Sequence, residues 1–323
     1  MVLTTAAAAG VHDMRGVYRE AFCRRLAPSG RPCEDVLLRL PGERAPATTS
    51  IPVPMAELAR RYRVVLVAGF MAECVSPIIT PFSDVVEALS AVGVEARILK
   101  AGGRGTAAEN AAQLAGQLDT LPADPRPFIV VGYSKGLADV LELVVSRPEA
   151  AARIAAVVSL AGAANGSPLA DQFNAAYRLW VARVPLVVCA RGSGDEVDDL
   201  RRDVRLEWWR RHGPGVTMPI FALVTTPRRE RISPLLWPVY RMLARVEPRN
   251  DGHVIWYDQI PPGARLLGFL DADHWTVATP YATELPLGSV LFHESVPRLL
   301  VIQAALEVVD AFLQSRRARG PDR

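Results

Sequence analysis

No apolar run in this chain reaches the roughly 18 residues that a membrane span requires, so a transmembrane protein is not expected. Cysteine is scarce. Cys23, Cys33, Cys74 and Cys189 are scattered without metal-like spacing, and a chain of 323 residues does not need disulfide staples, so buried or free thiols are the default expectation. Cys23 and Cys33 would pair if the protein met an oxidising compartment. A Gly-rich dinucleotide turn, a P-loop and a metal-spaced His/Cys/Asp cluster are all missing, so no cofactor is implied. The nearest approach to a phosphate loop, GGRGTAAEN at 102–110, lacks the Gly-Lys-Ser/Thr ending and reads as a strand-to-helix turn. Charge of one sign is also missing: 37 basic residues stand against 34 acidic ones, a net charge of +3, and nucleic acid is not an expected partner. The densest basic run, RRDVRLEWWRRH at 201–212, contains Asp203 and Glu207 at helical spacing and reads as a solvated helix face. The N-terminus, MVLTTAAAAGVHDMRG, has no basic segment leading a long Leu-rich core, which points to a cytoplasmic protein; a leader removed before residue 1 would leave the same picture and a secreted one.

What is present is regular. Half of the residues are hydrophobic, enough for a large core, and no Gly/Ser- or Pro-rich linker separates two self-sufficient halves. The expectation is one domain over 1–323. Residues 1–60 form an N-terminal extension packed on the core, with a helix around Val17–Leu26 and an apolar run at Val36–Leu40. From there on, short β-branched runs at 64–69, 96–99, 128–133, 155–162, 219–225 and 265–270 alternate with segments of helical period at 83–93, 106–118, 137–146 and 297–317. That alternation predicts an α/β fold, a mostly parallel central sheet flanked by helices. The interval 167–216, between the strands ending at Gly162 and starting at Pro219, is too long for a simple connection. Its two amphipathic, aromatic-rich segments suit a helical cap inserted after strand 6, or else an ordinary pair of crossover helices.

The run FIVVGYSKGLADVLELV places Ser134 between Gly132 and Gly136, where a predicted strand becomes a predicted helix. A hydroxyl is a poor nucleophile unless it protrudes toward a base; a sharp strand-to-helix turn provides the protrusion, and the glycines remove side chains that would clash. A base is then required. Of five histidines, His274 lies in FLDADHWTVATP, after the last predicted strand, where it would hang over the carboxyl edge of the sheet. The carboxylate expected to orient it is Asp251, in the turn RNDGHVIW; Asp258, Asp271 and Asp273 are rivals, the last two close to His274 in sequence. Backbone amides complete the set: Lys135 after the serine, and Phe70 in VVLVAGFMAEC, with Met71 as the alternative and Gly69 allowing close approach. The Lys135 side chain is expected to point to solvent or to an adjacent acid. An apolar substrate pocket is expected around Gly69, Phe70, Met71, Tyr133, Leu137, Leu169 and Trp275, with Trp180 and Trp208 from the cap.

In the order Ser134, Asp251, His274, the chain resembles the α/β-hydrolase superfamily, and within it bacterial lipases and esterases, over about residues 60–315. VVLVAGFM stands where those enzymes carry a strand followed by His-Gly. SLAGAANGSPLAD is similar to their strand-six segment, and NDGHV and DHWTVA to their acid and histidine loops. The resemblance implies the α/β-hydrolase fold and hydrolysis of a small-molecule or polymeric ester, or alternatively thioester cleavage or acyl transfer on the same three residues; a non-catalytic binding protein of the same fold is a third reading. Ala68 replaces the usual histidine and Ala163-Ala164-Asn165 the usual Thr-Pro-His, so lipid substrate and calcium are not carried over. Oligomeric state is left open.

Overall fold

Strands buried on both faces need apolar residues at every position, and the runs read above have them. Val64, Leu66, Ile129, Val131, Ala156 and Val158 face one core, while Val65, Val67, Val130, Val157, Ala222 and Val224 face another. The computed structural model describes residues 10–45, 52–75, 78–176, 189 and 192–319. Its strands are β1 (His12–Asp13), β2 (Leu37–Leu38), β3 (Arg63–Val67), β4 (Ala96–Leu99), β5 (Phe128–Tyr133), β6 (Ile154–Leu160), β7 (Ile220–Thr225) and β8 (Arg265–Leu270). They form one sheet in the order β1-β8-β7-β6-β5-β3-β4, parallel throughout, with β2 added antiparallel to β8. The longer helices are α1 (Arg15–Leu26), α2 (Met55–Arg61), α3 (Ser83–Ala91), α4 (Ala107–Thr120), α5 (Lys135–Ser146), α6 (Pro168–Ala176), α7 (Arg202–His212), α8 (Trp237–Leu243) and α9 (Arg298–Arg319). No helix among the described residues is long and apolar enough to cross a membrane.

The sheet is wound both ways. The chain leaves β3 for β4 on one side, returns over β3 to β5, and continues through β6, β7 and β8 on the other. The helix after β3 and the helix after β5 therefore lie on opposite faces: Val85 and Leu89 of α3 belong to the first core, Leu137, Val140 and Leu141 of α5 to the second. Divergent connections leave a crevice at the carboxyl ends of β3 and β5, the switch point where ligands of such sheets bind.

The N-terminal segment is part of this body. Tyr18 and Phe22 of α1 join the first core, and Glu307 of α9 receives Arg24 and Arg25 of α1, with Arg25 Nη2 at 2.6 Å. Arg61 Nη2 reaches Asp310 of α9 at 2.7 Å. β1 was not foreseen, because two residues carry no periodicity.

The interval 167–216 divides. Residues 177–188, 190 and 191, with Trp180, lie outside the described residues. The aromatic helix α7 is a crossover helix, not a cap over the carboxyl edge: Trp209 is buried in the second core, its indole N–H donates to the Ala164 carbonyl at 2.8 Å, and Trp208 Nε1 donates to Glu142 of α5 at 2.7 Å. Trp208 thus braces α5 and is not a pocket residue. α6 differs, because Ala170 packs with Val197, Leu200 and Phe70 in a small apolar cluster beside the crevice.

The cysteines depart from the expectation of free thiols. Cys23 pairs with Cys33, and Cys74 pairs with Cys189 across 115 residues of sequence. Disulfides persist in oxidising compartments, the condition the sequence attached to Cys23 and Cys33. The second bridge ties the one-turn helix Ala72–Val75, which follows β3, to the segment between α6 and α7. Reduction under native conditions is expected to lower stability by about 2–4 kcal/mol, read from denaturant midpoints with and without reductant; identical midpoints would show that neither bridge constrains the chain.

Under the β5–α5 turn lies a buried ion pair. Lys135 Nζ is 2.6 Å from Asp139 Oδ1, both side chains almost fully enclosed, and Asn110 Nδ2 of α4 donates to Asp139 Oδ2 at 2.9 Å. Burial pushes the Asp139 carboxyl up, against the opposing charge and hydrogen bonds of Lys135 and Asn110. Of the two placements expected for the Lys135 side chain, the structure has the adjacent acid. Asp139→Ala leaves a buried ammonium without its partner and is expected to cost about 3–5 kcal/mol in chemical denaturation; a loss under about 1 kcal/mol would show that the lysine finds water instead.

Candidate active site

Ser134 sits at the end of β5 with φ 56° and ψ −129°, a conformation that L side chains rarely adopt. The next turn of chain begins α5, so the serine is the hinge between strand and helix. This sharpness needs the two glycines foreseen in the sequence. A Cβ on Gly136 would lie 2.5 Å from the carbonyl oxygens of Val67 and Ala68, and one on Gly132 would lie 2.8 Å from the Leu137 Cα. The Ser134 backbone is held to β6 and its exit: its N–H donates to the Leu160 carbonyl at 3.3 Å, and its carbonyl accepts from Ala163 at 3.1 Å.

Three of the residues singled out in the sequence meet here. His274 Nε2 lies 2.8 Å from Ser134 Oγ, and its Nδ1 lies 2.8 Å from Asp251 Oδ2. With Nδ1 protonated toward the carboxylate, Nε2 is left to accept the serine proton, the tautomer this network favours. The loops that carry the pair are joined by the His274 N–H donating to the Asp251 carbonyl at 2.9 Å. Tyr133 supports the same loop, its hydroxyl donating to the His274 carbonyl at 2.7 Å.

Asp251 has no exposed area. Burial works against its ionisation, but the charge interaction with His274 and hydrogen bonds from His274, Thr225 and the Val254 amide outweigh it and hold the carboxyl below its usual range. The donors are close: Thr225 Oγ1 at 2.6 Å to Oδ2, and the amides of His253 and Val254 at 2.9 and 2.7 Å to Oδ1. Gln259 Oε1 in turn accepts the Thr225 amide at 2.7 Å. Thr225 and Gln259 carried no signal in the sequence; one ends a strand beside a second threonine and the other ends a single 3-10 turn, Trp256–Gln259.

The rival acids are engaged elsewhere. Asp273 accepts from the Ser233 amide at 2.8 Å, the Thr276 amide at 2.9 Å and both hydroxyls, which fixes the loop bearing His274. Asp271 accepts the Arg228 amide at 2.6 Å. Asp258 Oδ2 is 2.9 Å from Arg202 Nε, close enough for an ion pair but misaligned for a hydrogen bond, and burial pushes this carboxyl up to about 7.

Gly69 lies directly against the serine: a Cβ there would come within 2.6 Å of the Ser134 Cβ. Phe70 follows Gly69 in sequence and packs in the apolar cluster with Ala170. Met71 is corrected as an amide donor toward the site, because its N–H donates to the Gly103 carbonyl at 2.9 Å. Leu137 is corrected as a pocket residue: it is wholly buried behind the turn, in the second core. Tyr133 is buried too, beside His274, with ring centroids 5.2 Å apart. Leu169 and Trp275 are half-buried, Trp275 against Tyr281 and Phe292.

No protein-family model matches the chain, and no curated protein does. Solved structures do match. The metagenomic carboxyl esterase MGS0156 is 36% identical, with 95% of each chain covered and a TM-score of 0.88. The mature form of the Bacillus licheniformis lipase BlEst2 is 21% identical over 66% of this chain and 84% of its own, with a TM-score of 0.54. EstA from Clostridium botulinum is 13% identical over 81% of this chain and 92% of its own, with a TM-score of 0.53. The last two share the fold; the first is similar along nearly its whole length. On that similarity the chain belongs to the α/β-hydrolase superfamily, among its carboxylesterase- and lipase-like hydrolases.

Proposed function

We propose that the protein cleaves carboxylic esters through an acyl-enzyme on Ser134. His274 takes the Ser134 proton as Oγ attacks the ester carbonyl, and the tetrahedral oxyanion is held by the amides of Lys135 and Phe70. Collapse expels the alcohol, which takes the proton from His274; water activated by the same imidazole then releases the acid. Asp251 keeps Nδ1 protonated and offsets the positive charge on the imidazolium. The observation that carries this reading is the unbroken row from Ser134 Oγ through both nitrogens of His274 to a buried carboxylate, each step 2.8 Å.

The acyl group is placed against Phe70, Leu169 and Trp275, with the α6 segment and the cluster of Ala170, Val197 and Leu200 as the capping wall on that side. An apolar wall favours a medium-chain or aromatic acyl group over acetate. A panel of nitrophenyl esters of rising chain length tests this, and a sharp preference for acetate would overturn the wall as an acyl site.

Ser134→Ala is expected to reduce ester turnover by at least about 10⁴-fold while leaving the thermal melt intact. Undiminished turnover in that variant would end the mechanism. Asp251→Asn should lower kcat about 10⁴-fold, because the amide can present its NH₂ to Nδ1 and impose the wrong tautomer. If its kcat stays within about tenfold of the parent, Asp251 does not orient His274.

A further inference from the structure

A second imidazole touches this row, and the reaction as proposed does not use it. The ring of His253 stacks on that of His274, with centroids 4.6 Å apart and planes 8° from parallel. Its backbone is fixed on both sides: the N–H donates to Asp251 Oδ1 at 2.9 Å, and the carbonyl accepts the Ser167 hydroxyl. Trp275 flanks the ring at 5.6 Å. The carboxylate that bonds His274 thus also anchors the segment carrying the ring that covers it. His253 Nδ1 is buried without a hydrogen-bond partner. Burial, and then the charge interaction with His274, push its pKa down to about 3, so it sets no second positive charge against the first ring.

The bond to Cβ and the hydrogen bonds at Nδ1 and Nε2 fix the edge positions of the His274 ring, but they resist a tilt of the ring plane less than they resist displacement within it. Tilting moves the Nε2 lone pair off the Ser134 proton, and small misplacements at a reacting atom are expensive in rate. A flat group against the face of the ring opposes that tilt. An aliphatic side chain would cover the same area with less control of the plane.

We propose that His253 is a positioning residue for the ester-cleaving reaction: its neutral ring, stacked on His274, holds that imidazole in the plane joining Ser134 and Asp251. The proposal rests on the acyl-enzyme reading above. Its test compares His253→Ala, His253→Asn and His253→Phe with the parent, by the rate constant of fluorophosphonate labelling per reactive site and by kcat and KM on a nitrophenyl ester. The Ala and Asn variants are expected to lose about 10- to 100-fold in both the labelling rate constant and kcat. KM should change far less than kcat, since His253 meets the proposed acyl wall only at Trp275. The Phe variant, flat but without nitrogen, should recover most of the loss. A merely structural role would reduce the fraction of molecules labelled and leave the rate constant per labelled site unchanged, which overturns the proposal. So does recovery by Asn without recovery by Phe, since the buried nitrogen would then matter and the ring face would not. The Phe and Asn comparison decides even if the Ala variant fails to fold. A parent protein that is never labelled would instead defeat the acyl-enzyme reading itself.

Discussion

Ser134 occupies a backbone state that costs a side-chain-bearing residue about 1–3 kcal/mol, and the surrounding structure is arranged to keep it there. The strand before it is hydrogen-bonded on both sides, to β3 and β6. The helix after it starts so close to β3 that only hydrogen fits between Gly136 and the Val67 and Ala68 carbonyls. Leu137, Val140 and Leu141 then bury the inner face of α5 in the second core. Were the turn to relax, the helix would lift off β3 and the Leu137 side chain would lose its place against Gly132 and Gly162. Packing on the scale of a whole face of the sheet therefore holds one hydroxyl in position.

Electrostatics underneath the turn serve the same end. An ammonium at the start of a helix is opposed by the helix dipole. Lys135 is nonetheless buried there, because Asp139 one turn on supplies the counter-charge and Asn110 binds the second oxygen of that carboxylate. Asn110 also accepts the Gly102 amide at 2.8 Å, so the pair is tied to the loop after β4. On the far side, Asp251 is buried to a similar depth but stays low in pKa, since it gains donors from His274, Thr225 and Val254 where Asp139 has one cation and one amide. The two carboxylates show how the donor set, more than depth, decides which way a buried acid shifts.

The fold was readable because its parallel sheet writes itself in uninterrupted apolar runs: β4, β5 and β8 occupy the residues read for them, and β3, β6 and β7 differ at their ends by a residue or two. The strand-to-helix turn at Ser134 was readable because a strained turn demands glycine at fixed offsets. His274 and Asp251 followed from chain order. What the sequence hid is what depends on a partner far along the chain. Cys74 and Cys189 have no spacing to betray them, and Met71 reads like any loop amide until Gly103 is beside it. Trp208 and Trp209 look like cap aromatics, since a helix pattern says which residues share a face and not what that face meets. His253 was passed over for the same reason, a histidine in a turn being ordinary until its ring lies on another.

Two of those hidden contacts fall on the loop after β3, and their placement has a physical logic. In the proposed reaction this loop presents the Phe70 amide, and a backbone donor stabilises developing charge only if it is oriented in advance, so the loop must be stiff. Nothing in the segment AGFMAEC is stiff by itself. Its rigidity is imported: the Met71 amide is bound by the Gly103 carbonyl, the Gly103 amide by Glu73 at 2.9 Å, and Cys74 is bonded covalently to Cys189. Phe70, at the near end, is gripped by Ala170, Val197 and Leu200 from the interval after β6. Loops from β3, β4 and β6 thus brace one another. The imidazole side of the crevice is built on the opposite plan, from dense hydrogen bonding around Asp251 and Asp273, with no covalent tie among the described residues. One wall is held by cross-links between distant segments and the other by saturating two buried carboxylates, and the hydroxyl of Ser134 stands where the two walls meet.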